Sequence, residues 1–364
     1  MTKKFIIAGG GTGGHIFPAI AIAQRLEKLL PATEFLFVGA KGKMEMEKVP
    51  QAGYKIIGLD IVGFNRKALW KNFGLPFKIL RSFLQSRNII RNYKPDAVIG
   101  VGGYSTYPVL KAAQTAGIPT FIHEANSYAG KSNKLLAKKA VKIFTGTDGM
   151  EKFFPSHKIM VTGNPVRSSI FSEGLSKDQA REFFGLDKTK RTILIIGGSL
   201  GAASINSAVL AGLKKIMDAD LQVIWQTGRH FNKQAHFVEI NNKNVWINDF
   251  IADMGKAYLA ADIVISRSGA MSVAEISLVE KPVVFVPYPF AAEDHQTVNA
   301  QHLVSKHAAL MINDQDVHAE LIDKVIDLAN DKKKQEELKN NIKQFAIPDA
   351  DVRIAKEIIA EIEK

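Results

Sequence analysis

Apolar and polar positions along this chain switch between two periods. Phe5 to Ala8 is a short unbroken apolar run, and Pro18 to Leu30 then places Ala19, Ile22, Ala23, Leu26 and Leu30 at helical spacing. The first pattern predicts a buried strand and the second an amphipathic helix. Further strand-like runs fall at Glu34 to Gly39, Lys55 to Leu59, Ala97 to Val101, Thr120 to Ile122, Ile143 to Thr145 and Ile159 to Thr162. Strands alternating with helices predict a parallel sheet with helices on both faces. The pattern then starts again: Thr192 to Ile196 runs through Gly197-Gly198-Ser199-Leu200-Gly201 into a second helix, followed by strands at Leu221 to Gln226, Val245 to Ile247, Asp262 to Ser266 and Val283 to Val286. Two nucleotide-type α/β halves are expected, related by a weak internal repeat. A stripe of Val352, Ala355, Ile358, Ile359 and Ile362 predicts a last helix that must dock somewhere.

The chain's 364 residues fit two domains better than one. With 46% apolar and 23% charged residues, disorder is not indicated. The absence of cysteine excludes disulfides and thiolate metal sites. A net charge of +12 suits nucleic acid, an anionic membrane surface or a polyanionic substrate. No nucleic-acid-binding motif is present, so no nucleic acid partner is expected. Lys3-Lys4 and the apolar run after them imitate a signal peptide, but the glycine loop and His15 interrupt it and the segment should be retained. Nowhere do about 18 apolar residues run together, so no bilayer-spanning helix is expected.

Candidate chemistry gathers where the strands end. Gly9-Gly10-Gly11-Thr12-Gly13-Gly14-His15 is a strand-to-helix turn whose glycines let the backbone approach an anion, with a helix dipole behind them. His15 is its only side chain able to move a proton at neutral pH, and the helix N-terminus favours the neutral base. Gly102-Gly103-Tyr104 repeats the turn, and His123-Glu124-Ala125-Asn126 ends another strand. Gly163-Asn164-Pro165-Val166-Arg167 reads as the interdomain linker, with Arg167 able to reach a phosphate. In the second half, Arg267-Ser268-Gly269-Ala270 leads into a helix that puts Glu275 in its opening turns. There the carboxylate can accept ribose hydroxyls while Ser272 and the amides take phosphate oxygens; a plain capping role is the alternative.

Two patterns point away from other chemistries. Gly9, Gly11 and Gly14 satisfy a dinucleotide fingerprint, but that needs an acidic residue about 20 positions on, and the second strand ends at Val38-Gly39-Ala40-Lys41. Asp218/Asp220, Asp314/Asp316 and Asp349/Asp351 resemble divalent-metal pairs, yet none follows a strand into a glycine loop, so they read as polar surface. No dedicated metal site is expected. Residues 67 to 87 interleave Leu69, Trp70, Phe73, Phe77, Leu80 and Phe83 with Lys67, Lys71, Lys78, Arg81 and Arg87. By pattern alone this mixture suits either an anionic membrane surface, aromatic side down, or a loop and helix packed on the core with solvated lysines, and apolar stripes at helical spacing favour the core.

Taken together, the Gly9 to His15 loop, Gly102-Gly103-Tyr104, His123-Glu124-Ala125-Asn126, Thr162 to Arg167, Gly197 to Gly201, Arg267 to Ala270, Glu275 and Gln296-Thr297-Val298-Asn299 resemble the MurG family of bacterial transferases. The resemblance implies a GT-B fold: two Rossmann-like domains facing across a cleft, residues 1–163 with the last helix (347–364) packing back, and residues 164–346. It implies an inverting transfer of N-acetylglucosamine from UDP-N-acetylglucosamine to the 4-hydroxyl of the muramoyl sugar of lipid I, giving lipid II, with no cofactor. Carried over by motif, donor contacts are Thr12, Gly13, Gly14, Asn126, Arg167, Ser199, Ile251, Ala270, Met271, Ser272, Val273, Ala274, Glu275 and Gln296. His15 becomes the candidate base, and the first loop the place for the acceptor's diphosphate. The chain departs from the family at Ala125 and Leu200, where glutamine is frequent. A lipid acceptor implies a peripheral protein at the cytoplasmic face of the inner membrane and turns residues 67–87 into a patch for an anionic bilayer. The alternatives are an NAD(P)-dependent oxidoreductase and a non-catalytic UDP-sugar-binding protein of the same fold.

Overall fold

The structure, a computed structural model, describes residues 2–61, 75–166, 170–171, 174–198, 201–228, 231, 243–291 and 294–364. Contacts divide the chain into two compact units, Met1–Arg167 with Pro348–Lys364, and Ser168–Ile347.

The first unit carries strands β1 (Lys3–Ala8), β2 (Thr33–Ala40), β3 (Lys55–Leu59), β4 (Ala97–Gly100), β5 (Thr120–Glu124), β6 (Lys142–Thr145) and β7 (Ile159–Val161). Its helices are α1 (Gly13–Leu29), α2 (Glu45–Gln51), α3 (Leu75–Tyr93), α4 (Thr106–Thr115) and α5 (Lys131–Ala137). All pairings are parallel, in the order β3-β2-β1-β4-β5-β6-β7. The second unit contains α6 (Lys177–Phe183), β8 (Arg191–Ile196), α7 (Ala203–Asp218), β9 (Leu221–Gln226), β10 (Val245–Asn248), α8 (Met254–Ala260), β11 (Ile263–Ser266), α9 (Ala270–Leu278), β12 (Val283–Phe285), α10 (His295–Val304), β13 (Leu310–Met311), α11 (Val317–Asn330) and α12 (Lys332–Ile342). Its sheet is also parallel, in the order β10-β9-β8-β11-β12-β13. Counted within its own unit, each sheet begins third-second-first-fourth, the doubly wound arrangement. Each therefore has a switch point where the order reverses, between β1 and β4 and between β8 and β11.

Both faces of the central strands are covered, so those strands are apolar on both sides rather than alternating. Phe5 and Ile7 of β1 enter one core while Ile6 and Ala8 enter the core on the opposite face. Ile193 and Ile195 of β8 divide from Leu194 and Ile196 in the same way. At the far end of the second sheet, Asp262 accepts from Thr192 N and Arg181, each at 2.7 Å, and from Lys177. Burial pushes the Asp262 carboxyl up, but these partners outweigh it and hold it below the usual range.

The last helix, α13 (Ala350–Ile362), docks against α1 of the first unit. Its buried stripe is Ala350, Ile354, Ala355 and Ile358, shifted from the one the spacing predicts: Ile354 is fully buried and Val352 only half-buried. Arg25 Nε to Asp351 (2.7 Å) and Lys142 to Glu357 (3.0 Å) fix its rotation. Asp351 is thus a docking residue rather than plain surface. Replacing Ile358 by alanine should destabilise the protein by about 2–5 kcal/mol, read as a lower urea midpoint; an unchanged midpoint would show that the helix is not part of the folded unit.

Candidate functional site

The carboxyl ends of β1 and β4 meet at the first switch point. Gly10 N donates to Gly102 O (3.2 Å) and Val101 N to Ala8 O (3.0 Å). The buried Thr106 hydroxyl closes the joint, reaching Ala8 O at 3.1 Å and Gly102 O at 2.9 Å. Gly103 has φ of +92°, and a Cβ there would lie 2.3 Å from Gly10 O, so no other residue fits. His15, on the first turn of α1, lies over this joint with its ring edge against Gly102. Its Nδ1 is 3.1 Å from Gly10 O and 3.4 Å from Thr12 Oγ1. A carbonyl only accepts, so Nδ1 carries the hydrogen and Nε2 is the ring's acceptor.

Not all of the loop's amides are left for a ligand. Gly9 N bonds Val38 O, Gly10 N bonds Gly102 O, and Gly11 N bonds Glu45. Among the described residues the amides of Gly13 and Gly14, at the start of α1 where no preceding turn supplies acceptors, have no backbone acceptor and could donate to an anion. Glu45 is the residue the spacing does not reveal. It opens α2, is 1% exposed, and accepts from Gly11 N (2.8 Å) and Ala40 N (2.9 Å). Its carboxylate fills the space between the first loop and the end of β2, so close that a Cβ on Gly10 would lie 2.2 Å from its Cδ. A dinucleotide ribose would need an uncommitted carboxylate in that region. Lys41, following β2, is itself paired with Asp60 at 2.8 Å.

β5 ends in a second buried carboxylate. Glu124 accepts from Asn126 N (3.2 Å), Asn126 Nδ2 (3.4 Å), Gly130 N (2.9 Å) and Asn133 Nδ2 (2.9 Å), which sets the half-exposed Asn126 side chain. Beside it His123 is wholly buried, with neither ring nitrogen in hydrogen-bond geometry. Burial and the neighbouring His15 pull it down to about 4, against the opposing pull of the Gly163 backbone and the Asn164 amide. Ala125, lacking a polar side chain, contributes its carbonyl to Asn164 Nδ2 (3.1 Å).

In the second unit the site is built around α9. Ala270 to Glu275 are half-exposed at its N-terminal end. Tyr258, buried on α8, donates its hydroxyl to Glu275 Oε2 at 3.0 Å, which fixes the carboxylate's direction. Gln296 accepts from Ser268 Oγ at its backbone carbonyl (2.8 Å) and from Tyr288 N at its Oε1 (3.0 Å), while Nε2 faces Gly269. Gln226, at the end of β9, donates to Gly198 O (2.9 Å) and accepts from Ile251 N (3.2 Å). The buried Ile251 therefore has its amide engaged, and its carbonyl is what it can offer a ligand. Arg267 is buried and bonds Val286 O, Pro287 O, Ser204 Oγ and Asp314 Oδ1, the last at 2.6 Å. Asp314 is thus a structural anion beneath the turn, not the surface residue its spacing implies.

Of the expected site residues, His15, Thr12, Gly13, Gly14 and Asn126 belong to the first unit, and Ile251, Ala270 to Glu275 and Gln296 to the second. Arg167 and Ser199 lie outside the described residues, as do Trp70 and Phe73. Among the described residues no group of three or more His, Asp or Glu is placed to hold a metal, and no helix is long and apolar enough to cross a membrane.

Residues 5–145 match the glycosyltransferase family 28 N-terminal domain and residues 192–354 the family 28 C-terminal domain. A Bacteroides fragilis protein named UDP-N-acetylglucosamine--N-acetylmuramyl-(pentapeptide) pyrophosphoryl-undecaprenol N-acetylglucosamine transferase is 51% identical over 98% of this chain and 95% of its own length. A protein of the same name from Bacteroides thetaiotaomicron is 50% identical over 98% of this chain and 97% of its own. A crystal structure of Acinetobacter baumannii MurG aligns with a TM-score of 0.76 at 29% identity, covering 98% of this chain and 99% of that one. With two Rossmann-like parallel-sheet domains, the chain has the GT-B fold.

His123 makes the fold sensitive to acid. Unfolded, its imidazole takes a proton near 6.5; folded, it resists until about 4. Stability from this residue is intact above the higher value and falls as pH drops between the two, by about 3 kcal/mol in all. His123→Leu should flatten that part of a stability-against-pH curve, and an unaltered acid slope would contradict the assignment.

Proposed function

The chain belongs to glycosyltransferase family 28, and from that premise we propose how it works. It transfers N-acetylglucosamine from UDP-N-acetylglucosamine to the muramoyl sugar of undecaprenyl-diphospho-N-acetylmuramoyl-pentapeptide, forming lipid II and releasing UDP. The observation that carries this reading is the near full-length likeness to relatives named for that reaction.

In the reaction the acceptor's 4-hydroxyl oxygen attacks C1 of N-acetylglucosamine from the face opposite UDP. The C1–oxygen bond to the diphosphate breaks, and the configuration inverts. His15 Nε2 takes the hydroxyl proton, a role its tautomer suits because Nδ1–H points at Gly10 O. The Gly13 and Gly14 amides receive the acceptor's diphosphate. In the second unit the N-terminus of α9, with Ser199 and Ser272, stabilises the charge on the departing diphosphate without reorganising. Glu275, aimed by Tyr258, accepts from the ribose, the Ile251 carbonyl takes the uracil N–H, and Asn126, Arg167 and Gln296 hold the sugar and phosphates. UDP-N-acetylglucosamine is the donor substrate and no cofactor enters the scheme.

The acceptor's lipid requires contact with a bilayer, and α3 supports that reading. Phe77 (76% exposed), Leu80 (57%) and Leu84 (50%) form one apolar face at helical spacing, with Lys78, Arg81 and Arg87 exposed around them. The opposite face buries Ser82, Ser86 and Ile90. On this reading the protein works peripherally at the cytoplasmic face of the inner membrane.

UDP release with a lipid I analogue tests the reaction. His15→Ala should lower turnover by about 10²-fold or more while UDP-N-acetylglucosamine affinity is kept, and retained turnover would remove His15 as the base. UDP-N-acetylglucosamine, and not NAD, should raise the melting temperature. Replacing Phe77, Leu80 and Leu84 together by serine should weaken sedimentation with anionic liposomes and leave UDP affinity intact; unchanged sedimentation would refute the membrane face.

A further inference from the structure

Glu45 and His15 contact opposite ends of one peptide group. The amide between Gly10 and Gly11 presents its N–H to Glu45 Oε2 at 2.8 Å and its C=O to His15 Nδ1 at 3.1 Å. Glu45 Oε1 is held by Ala40 N at 2.9 Å, so the carboxylate is anchored to the end of β2 and cannot rotate away. It is 1% exposed, and among the described residues its hydrogen-bond donors are Gly11 N and Ala40 N. A buried carboxylate is costly unless its lone pairs are satisfied, and here its two acceptor contacts are both backbone amides.

We propose that Glu45 is a positioning residue for His15, acting through the Gly10–Gly11 peptide as Glu45 carboxylate to peptide N–H, peptide C=O to imidazole Nδ1–H. An anion on the N–H side polarises the amide and makes its carbonyl oxygen a stronger acceptor. The stronger acceptor holds the hydrogen on Nδ1, keeps Nε2 as the basic nitrogen and stabilises the imidazolium formed when Nε2 takes a proton. This is the task of the carboxylate in a carboxylate–histidine pair, with a backbone peptide inserted between the two groups. The fold supplies the means: Gly10 and Gly39 leave room for the carboxylate, since a Cβ on either would lie within 2.4 Å of a Glu45 carbon. His123, facing His15 from β5, stays neutral above pH about 4 and does not compete.

The inference rests on His15 as the base, yet its first test needs no reaction. In the native chain with 15N-labelled histidine, the His15 nitrogens should report the Nδ1–H tautomer; an Nε2–H tautomer would overturn the proposal. Glu45→Gln keeps the shape but has one acceptor oxygen for two amide donors and no charge. It should move the His15 titration midpoint and the acid limb of the kcat profile to lower pH by about half a unit or more. It should also cut kcat about tenfold with UDP affinity in the second unit unchanged. A folded variant with an unmoved titration would show that Glu45 only holds the loop. Should Glu45→Gln not fold, Glu45→Asp, which keeps the charge but is shorter by one methylene, serves in its place with the same prediction at smaller amplitude. If His15→Ala retains turnover, the reading of His15 as base fails separately.

Discussion

Where β1 and β4 end side by side, two backbone turns touch with no side chain between them, and the first unit's chemistry depends on that contact. Gly103 lies against the Gly10 carbonyl, Gly10 N bonds Gly102 O, and Thr106 ties both strands together. The orientation of the Gly10–Gly11 peptide is thereby set from both sides. His15 is then placed by a carbonyl that cannot move, rather than by a flexible side chain. An immobile acceptor favours a single tautomer and costs no reorganisation when charge develops.

Three carboxylates organise the strand ends in a related way. Glu45 and Glu124 are met by amide donors and Glu275 by the Tyr258 hydroxyl. Parallel strands end with their following loops close by, so amides accumulate there, and a buried carboxylate can use them without a lysine or arginine. That arrangement leaves the helix N-termini of α1 and α9 facing outward as the positive ends. For the proposed reaction, whose two substrates each carry a diphosphate, anions behind the loops and amide donors in front are compatible demands. Arg267, the guanidinium in a conspicuous motif, is committed to Asp314, Ser204 and two carbonyls beneath its turn, and so shapes the site rather than binding phosphate.

Much of this was legible in the order of residues. Short apolar runs entering glycine turns, repeated near residues 5 and 192, carry the two parallel sheets, and Gly9 to His15, Glu275 and Gln296 mark the strand ends where side chains of the site emerge. Less legible were residues whose role depends on what lies opposite. Glu45 stands in Lys43-Met44-Glu45-Met46-Glu47-Lys48, a stretch indistinguishable from a solvated charge run. Asp314 looked like surface, Ile354 was absent from the predicted stripe, and the pattern of the aromatic stretch left a core helix and a surface patch both open, whereas Phe77, Leu80 and Leu84 face outward.

The sequence by itself determined the alternation of elements, the paired glycine loops and the family, because periodicity and turn chemistry are local properties of the chain. Only the tertiary structure decided which loop amides are engaged, which ring nitrogen of His15 holds its hydrogen, and that a carboxylate 34 residues away holds the same peptide. Those outcomes depend on the register of β1 against β2 and β4, which brings donors and acceptors from distant segments within 3 Å or so of one another, a distance at which hydrogen bonds select single partners.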